Sequence, residues 1–238
     1  MNLKNNIKQS SNSYIGPRKR NEDFCKFEFW EDYCIASIAD GVGGRNCGAE
    51  ASKFCVNSFH SEIKSQLNDL DFVIRKVNSN LISFGIEEKE CEGMATTFTG
   101  IFISDYNLNG VHSGDTRVCV LRGNGIKQLT FEHSEAGRLL RGGILSKEEY
   151  SNYPRKHIIE SALGLGSDFA MQSFNFSLQP KDRIILSTDG FHNVISKLEL
   201  RDFSLRNKLF DNFYEVLNRE LQNRRLIDNA TFIVFEIA

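Results

Sequence analysis

Tyr33-Cys34-Ile35-Ala36-Ser37-Ile38-Ala39-Asp40-Gly41-Val42-Gly43-Gly44 is a strongly apolar run that stops at an aspartate and a set of glycines. An apolar run of this length and composition reads as a strand. A carboxylate at the end of a buried strand is costly unless something compensates its charge. The construction recurs along the chain. Ile184-Ile185-Leu186-Ser187-Thr188 runs into Asp189-Gly190, and Asp228-Asn229 precedes the β-forming run Thr231-Phe232-Ile233-Val234-Phe235-Glu236-Ile237. Arg18-Lys19-Arg20-Asn21-Glu22-Asp23 likewise leads into the aromatic stretch 24–30. One Asp-Gly after a strand is most often a plain turn. Several carboxylates converging from distant parts of the chain point instead to a bound cation. Carboxylates, a backbone carbonyl and water are hard ligands, which suit Mg²⁺ or Mn²⁺ rather than zinc. Two such ions sharing a carboxylate position water and neutralise a phosphate, and an arginine fork is the natural handle for phosphate oxygens.

Working outward, further strand-like runs lie at 96–104, 118–122 and 183–188, and 173–178 alternates, with Phe174 and Phe176 on one face. Helical periodicity is carried by Ala51, Cys55, Phe59 and Ile63, by Val73, Val77 and Leu81, and by Leu209, Phe213, Leu217 and Leu221. Ser146-Lys147-Glu148-Glu149 has the capping-box pattern and starts a short helix. This order lacks the regular alternation of a parallel sheet. It fits an α+β layered domain of mostly antiparallel sheets with helices on their outer faces.

A chain of 238 residues with no visible linker reads as one domain, 1–238, and a 40% hydrophobic content suffices for its core. A net charge of −2 argues against nucleic acid as a partner. The basic stretch 4–20 reads as a solvated start to the domain, Arg18 excepted. No apolar run approaches the ~20 residues that a membrane helix needs, and no signal peptide is recognisable. The six cysteines contain no CxxC pair, and several sit in apolar runs. The expectation is free thiols in a reducing cytoplasm.

Eight short motifs, in order, resemble the metal-dependent Ser/Thr protein phosphatases of type 2C in their compact bacterial form. They are Arg18-Lys19-Arg20-Asn21-Glu22-Asp23, Asp40-Gly41-Val42-Gly43-Gly44, Gly93-Met94-Ala95-Thr96-Thr97, Gly114-Asp115-Thr116-Arg117, Glu132-His133-Ser134, Ala162-Leu163-Gly164, Thr188-Asp189-Gly190 and Asp228-Asn229-Ala230-Thr231. The resemblance implies a four-layer α-β-β-α sandwich of two antiparallel sheets flanked by helices, with a flap segment at about 137–160. It implies two Mn²⁺ or Mg²⁺ ions. Asp40 would bridge them, with the Gly41 carbonyl, Asp189 and Asp228 as further ligands. Glu22 would bind through water, and Asp23 would support the waters from just outside. Asn229 would orient Asp228, and Arg18 would grip the substrate phosphate. A metal-bridging hydroxide would attack phosphoserine or phosphothreonine in proteins, with Asp40 and Asp189 central to catalysis. The implied partners are phosphorylated substrates of a cognate Ser/Thr kinase, and the expected form is a cytoplasmic monomer in signalling.

The chain departs from the pattern at two positions. Val42 stands where some members carry a histidine proposed as general acid, which leaves the proton donor unassigned. Asn193 stands where an aspartate would pair with Asp115 at a third ion, so a third site at Asp115 would be weak. His192 reads as a solvent-facing loop histidine, and His157 is uninformative. In the flap, Arg138, Arg141, Arg155 and Lys156 read equally as phosphopeptide attractors or as a solvated surface. The alternative to an active enzyme is a catalytically weak relative that binds phosphoproteins or a kinase. A nucleotide cradle at 41–44 is disfavoured, because it lacks both the P-loop lysine and the GxGxxG spacing.

Overall fold

The computed structural model describes residues 6–30, 32–42, 47–66 and 69–238. Gly43 and Gly44, half of the segment read against a nucleotide cradle, lie outside the described residues, as does Lys4.

Ten strands form two five-stranded antiparallel sheets. The first sheet contains β2 (Asp23–Trp30), β3 (Tyr33–Asp40), β4 (Phe98–Ser104), β5 (Asn107–Ser113) and β8 (Gln172–Ser177), in that spatial order. The second runs β1 (Ile7–Tyr14), β10 (Ala230–Ile237), β9 (Arg183–Ser187), β6 (Arg117–Arg122) and β7 (Gly125–Gln128). Helices α1 (Gly48–Glu62) and α2 (Leu70–Glu87) cover the first sheet. On the second sheet, α7 (Phe210–Asn223) is the main cover, joined by α6 (Lys197–Arg206). Two short helices, α3 (Glu135–Arg141) and α4 (Lys147–Ser151), lie between β7 and β8, and α5 (Asp189–His192) follows β9. The four-layer α-β-β-α sandwich is therefore present.

Side-chain alternation builds the layers. In β3, Ile35 and Ala39 face the helices α1 and α2, while Cys34, Ala36 and Ile38 face the opposing sheet. In β10, Ile233, Phe235 and Ile237 enter the space between the sheets, and Phe232 and Val234 meet α7. Both strands are buried on both faces, which explains their mostly apolar composition. Helix α7 docks through Phe213, Val216, Leu217 and Leu221, each side chain contributing about 1.5–3 kcal/mol on burial. Leu209, predicted to share that face, is the residue before the helix and is exposed. Burial has a polar anchor as well. Arg183 donates to Glu236 at 2.7 Å and to the carbonyls of Asn207 and Lys208, tying the α6–α7 connection to the sheet.

Two expectations are corrected. Much of the basic stretch 4–20 is strand rather than solvated lead-in, because β1 pairs along its whole length with β10. It lies at the sheet edge, and Ile7 is its one buried residue, so its sequence is polar. The cysteines are not all free: Cys47 and Cys91 form a disulfide, while Cys25, Cys34, Cys55 and Cys119 remain thiols. Cys47 immediately precedes α1, and Cys91 lies just beyond α2. The helical hairpin thus returns the chain to its start and brings two cysteines 44 residues apart together. Crosslinking a ring of this size restricts the unfolded chain. Cys91→Ser is expected to lower stability by about 2–4 kcal/mol in urea unfolding, and reductant should produce the same loss in the unaltered chain. Identical unfolding curves with and without the crosslink would refute this.

Candidate active site

The ends of β3 and β9 and the start of β10 meet at one edge of the seam between the sheets. Asp40 closes β3 directly across from Asp23 on β2. Its backbone carbonyl accepts from Thr97 N at 2.8 Å and from the Thr96 hydroxyl at 2.8 Å, which fixes the strand end. Gly41 follows, and a Cβ there would stand 2.3 Å from the Gly48 carbonyl oxygen, so only glycine lets the chain pass beneath α1. Gly190, after Asp189, is equally constrained: a Cβ would lie 1.9 Å from the Asn229 carbonyl oxygen. This contact brings Asp189 and Asp228 together.

The result is a cavity of about 520 Å³ lined by Arg18, Glu22, Asp40, Gly41, Asp115, Asp189, Asp228 and Asn229 among others. These are the residues singled out in the sequence, with Asp23 buried behind them. Asp23 accepts from the Thr188 hydroxyl at 2.8 Å through one oxygen, and its other oxygen has no partner. One oxygen each of Asp115 and Asp189 is also buried and unpartnered. Burial, reinforced by neighbouring carboxylates, pushes the Asp23 carboxyl up to about 7 and that of Asp189 up to about 6. Burial and the same neighbours hold Asp40 and Asp115 well above the usual carboxylate range. Among the described residues, no three such side chains converge tightly on one point. The carboxylates instead line a basin wide enough for water between them.

Arg18 lines the cavity with its guanidinium donating to Asp228 at 2.6 Å. Asn229 does more than expected. Its side-chain amide donates to the carbonyls of Ile15 and Arg20, and its oxygen accepts from Glu22 N at 2.9 Å, so it pins the whole 15–22 segment against β10. Asp228 accepts from the Asn229 backbone N–H at 2.8 Å. Asn193 directs its amide N–H at Asp189, 3.5 Å away.

Several residues here were not legible in advance. His157, Ile159 and Ile227 line the cavity, the first two from the segment between β7 and β8. His192 is no solvent-facing loop residue. It is half-buried in α5, with its Nδ1 3.4 Å from the Ser187 hydroxyl, and burial keeps it neutral. His133, by contrast, was readable from its Glu132-His133-Ser134 motif as a loop organiser: it accepts from Gly114 N at 3.2 Å through Nδ1 and stacks on His112, holding the loop that carries Asp115.

Two facing five-stranded sheets between helical layers thus carry an acidic basin at the end of their seam. The chain belongs to the protein phosphatase 2C family, whose sequence profile matches residues 13–229. It is 28% identical over 219 residues to the serine/threonine phosphatase stp of Listeria welshimeri, covering 88% of this chain and 87% of that one. In three dimensions it superposes on the serine/threonine phosphatase Stp1 of Staphylococcus aureus with a TM-score of 0.89 at 24% identity, over 98% of this chain and 95% of that one. The catalytic domain of the phosphatase PstP, solved with two manganese ions, matches with a TM-score of 0.80 at 24% identity, over 98% and 99% of the two chains.

Proposed function

We propose that the chain is an active, Mn²⁺- or Mg²⁺-dependent protein serine/threonine phosphatase, a single catalytic domain over 1–238 with a flap at about 137–160. The observation that carries this reading is the gathering of Asp40, Asp115, Asp189 and Asp228 around one cavity, with buried carboxylate oxygens left unpartnered. Such a cluster fits divalent cations, because among the described residues its four aspartates share a single ion pair, Arg18 with Asp228, against the charge they would carry when ionised. Asp40, Asp189, Asp228 and the Gly41 carbonyl would hold two ions, Glu22 through water, with Asp23 steadying the waters from behind. When bound, the ions activate water for direct attack on phosphorus and neutralise charge on the phosphate.

The protein's own groups have distinct tasks. Arg18 binds the phosphate oxygens, exchanging its present carboxylate partner for the substrate. Asn229 keeps Glu22 and Asp228 in register. Asp115 would support a third ion weakly, since the position that should complete it is Asn193, whose amide donates toward Asp189. Phosphorylated proteins made by a cognate Ser/Thr kinase would be the substrates, in cytoplasmic signalling, with the enzyme acting as a monomer. Among the described residues, no helix is long and apolar enough to cross a membrane.

The deciding experiment is hydrolysis of p-nitrophenyl phosphate with Mn²⁺, Mg²⁺ or chelator. Metal-dependent turnover supports the proposal. A folded protein inert with both metals would transfer the case to the weak, phosphoprotein-binding alternative. Arg18→Ala should raise KM for a phosphothreonine peptide by about 10–100-fold, the worth of a charge-assisted hydrogen bond of ~1.5–3 kcal/mol. An unchanged KM would remove Arg18 from phosphate binding.

A further inference from the structure

A second cavity, of about 300 Å³, lies beside the flap and is lined by Arg117, Phe131, Glu132, Arg141, Tyr150 and Lys197 among others. Its charges separate into two sets. Arg117 is neutralised, donating through Nε to Glu132 at 2.8 Å, and Glu132 is closed off further by the Tyr150 hydroxyl. Arg141 and Lys197 have no carboxylate partner among the described residues. Arg141 donates to the Glu132 backbone carbonyl at 2.7 Å and lies 5.7 Å from the centre of the Phe131 ring, while Lys197 donates to the Gln128 side chain at 3.0 Å. The contrast with the rest of the flap is clear. Arg138 is bound to Glu160, and Arg155 to Glu135. Of the flap arginines, Arg141 therefore stands without an ion pair at a cavity wall, over an aromatic floor that is 53% exposed.

The cavity adjoins the acidic basin. Asp115 lines the basin, and Arg117, two residues on, lines the second cavity. His192 is within electrostatic reach of Arg117 and Lys197, which line the second cavity, and of His157, which lines the first. The flap itself spans both, with Arg141 at one cavity and His157 and Ile159 at the other. A polypeptide lying across the flap passes from one to the other.

The geometry points to a substrate subsite: Arg141 and Lys197 receive an acidic group, a carboxylate or a second phosphoryl, carried by the substrate polypeptide near its phosphoserine or phosphothreonine. This rests on the phosphatase reading and extends it to sequence preference. Two unpaired cations at the cavity attract an anion, and the contact weakens with salt because both side chains reach solvent.

The test is a series of phosphothreonine peptides in which a single glutamate is moved residue by residue along either side, against a glutamine control. The expected result is a kcat/KM maximum at one position, about tenfold above the control, equivalent to ~1.4 kcal/mol. Arg141→Gln and Lys197→Gln should abolish the maximum, and Arg141→Lys should retain much of it. All three should leave p-nitrophenyl phosphate hydrolysis and the unfolding midpoint unchanged. A flat series, or variants that slow every substrate equally, would overturn the proposal. So would a flat series in which the variants lose only inhibition by inorganic phosphate, since the cavity would then hold the free anion. Fluorescence polarisation of the same peptides on the metal-free protein separates this from failure of the phosphatase reading. Glutamate- and Arg141-dependent binding without turnover would keep the subsite and discard the activity.

Discussion

Asp40→Asn should lower kcat/KM by at least about 1000-fold while raising the unfolding temperature of the metal-free protein. The two effects share one cause. The Asp40 carboxyl is held far above its ordinary range by burial and then by Asp23, Asp189, Asp115 and Asp228. Asparagine is neutral without taking up a proton on folding, so that cost disappears, and the bonds fixing the strand end survive because the Asp40 backbone makes them. The same change removes the charge proposed to bridge two cations, whose contribution to catalysis is several kcal/mol. A thousandfold loss is ~4 kcal/mol of transition-state stabilisation. Kinetics with saturating Mn²⁺ and thermal unfolding in chelator test both halves. Retained activity, or a destabilised apoprotein, would break the argument.

The second large effect is a Mn²⁺ stabilisation that grows with pH. Burial raises Asp23 to about 7 and Asp189 to about 6 in the folded, metal-free state. Between the ordinary carboxylate value near ~4 and those values, the folded chain holds protons that the unfolded chain has released. Unfolding free energy therefore falls as pH rises through this window, by about 1.4 kcal/mol per unit per fully protonated group. Buried histidines act in the opposite sense. His60, His112 and His133 are lowered to about 4, 3 and 4, so their contribution rises with pH up to the ordinary histidine value. Subtracting the unfolding curve in chelator from that in Mn²⁺ cancels the histidines, because no histidine is among the proposed ligands. Cations displace protons only from the carboxylates. The difference should be small at pH 5 and reach on the order of 5 kcal/mol by pH 8, or about 10 °C for a domain of this size. A difference independent of pH would contradict the raised carboxyls.

The strands legible in the sequence were those with an apolar run, β3, β4, β6, β9 and β10, and β8 with its alternating phenylalanines. β1 was hidden because an edge strand needs few apolar residues, and Ile7 alone of its residues is buried. Helix α6 has a single fully buried residue, Leu200, and so lacked a periodic stripe. Its capping box at Ser196 and Glu199 was the overlooked signal. At the site, the aspartates were readable because charge at a strand end contradicts its surroundings. The tasks of Asn229 were not, since its side chain bonds residues more than 200 positions away. His157 lies in a polar stretch, and only the folded chain brings it to the cavity wall. The disulfide escaped because helix closure, not spacing, pairs its cysteines.

β10 follows every other element in chain order, yet it lies between β1 and β9 and is led in by Asp228. The basin draws on residues from Arg18 to Asp228. A nascent chain lacking only β10 and its lead-in would hold the helical hairpin and the whole first sheet, but no finished basin. The basin therefore closes in one step, when β10 slots between the first strand and its older neighbour, and a fold missing that single strand keeps its carboxylates as loose ends with no common pocket.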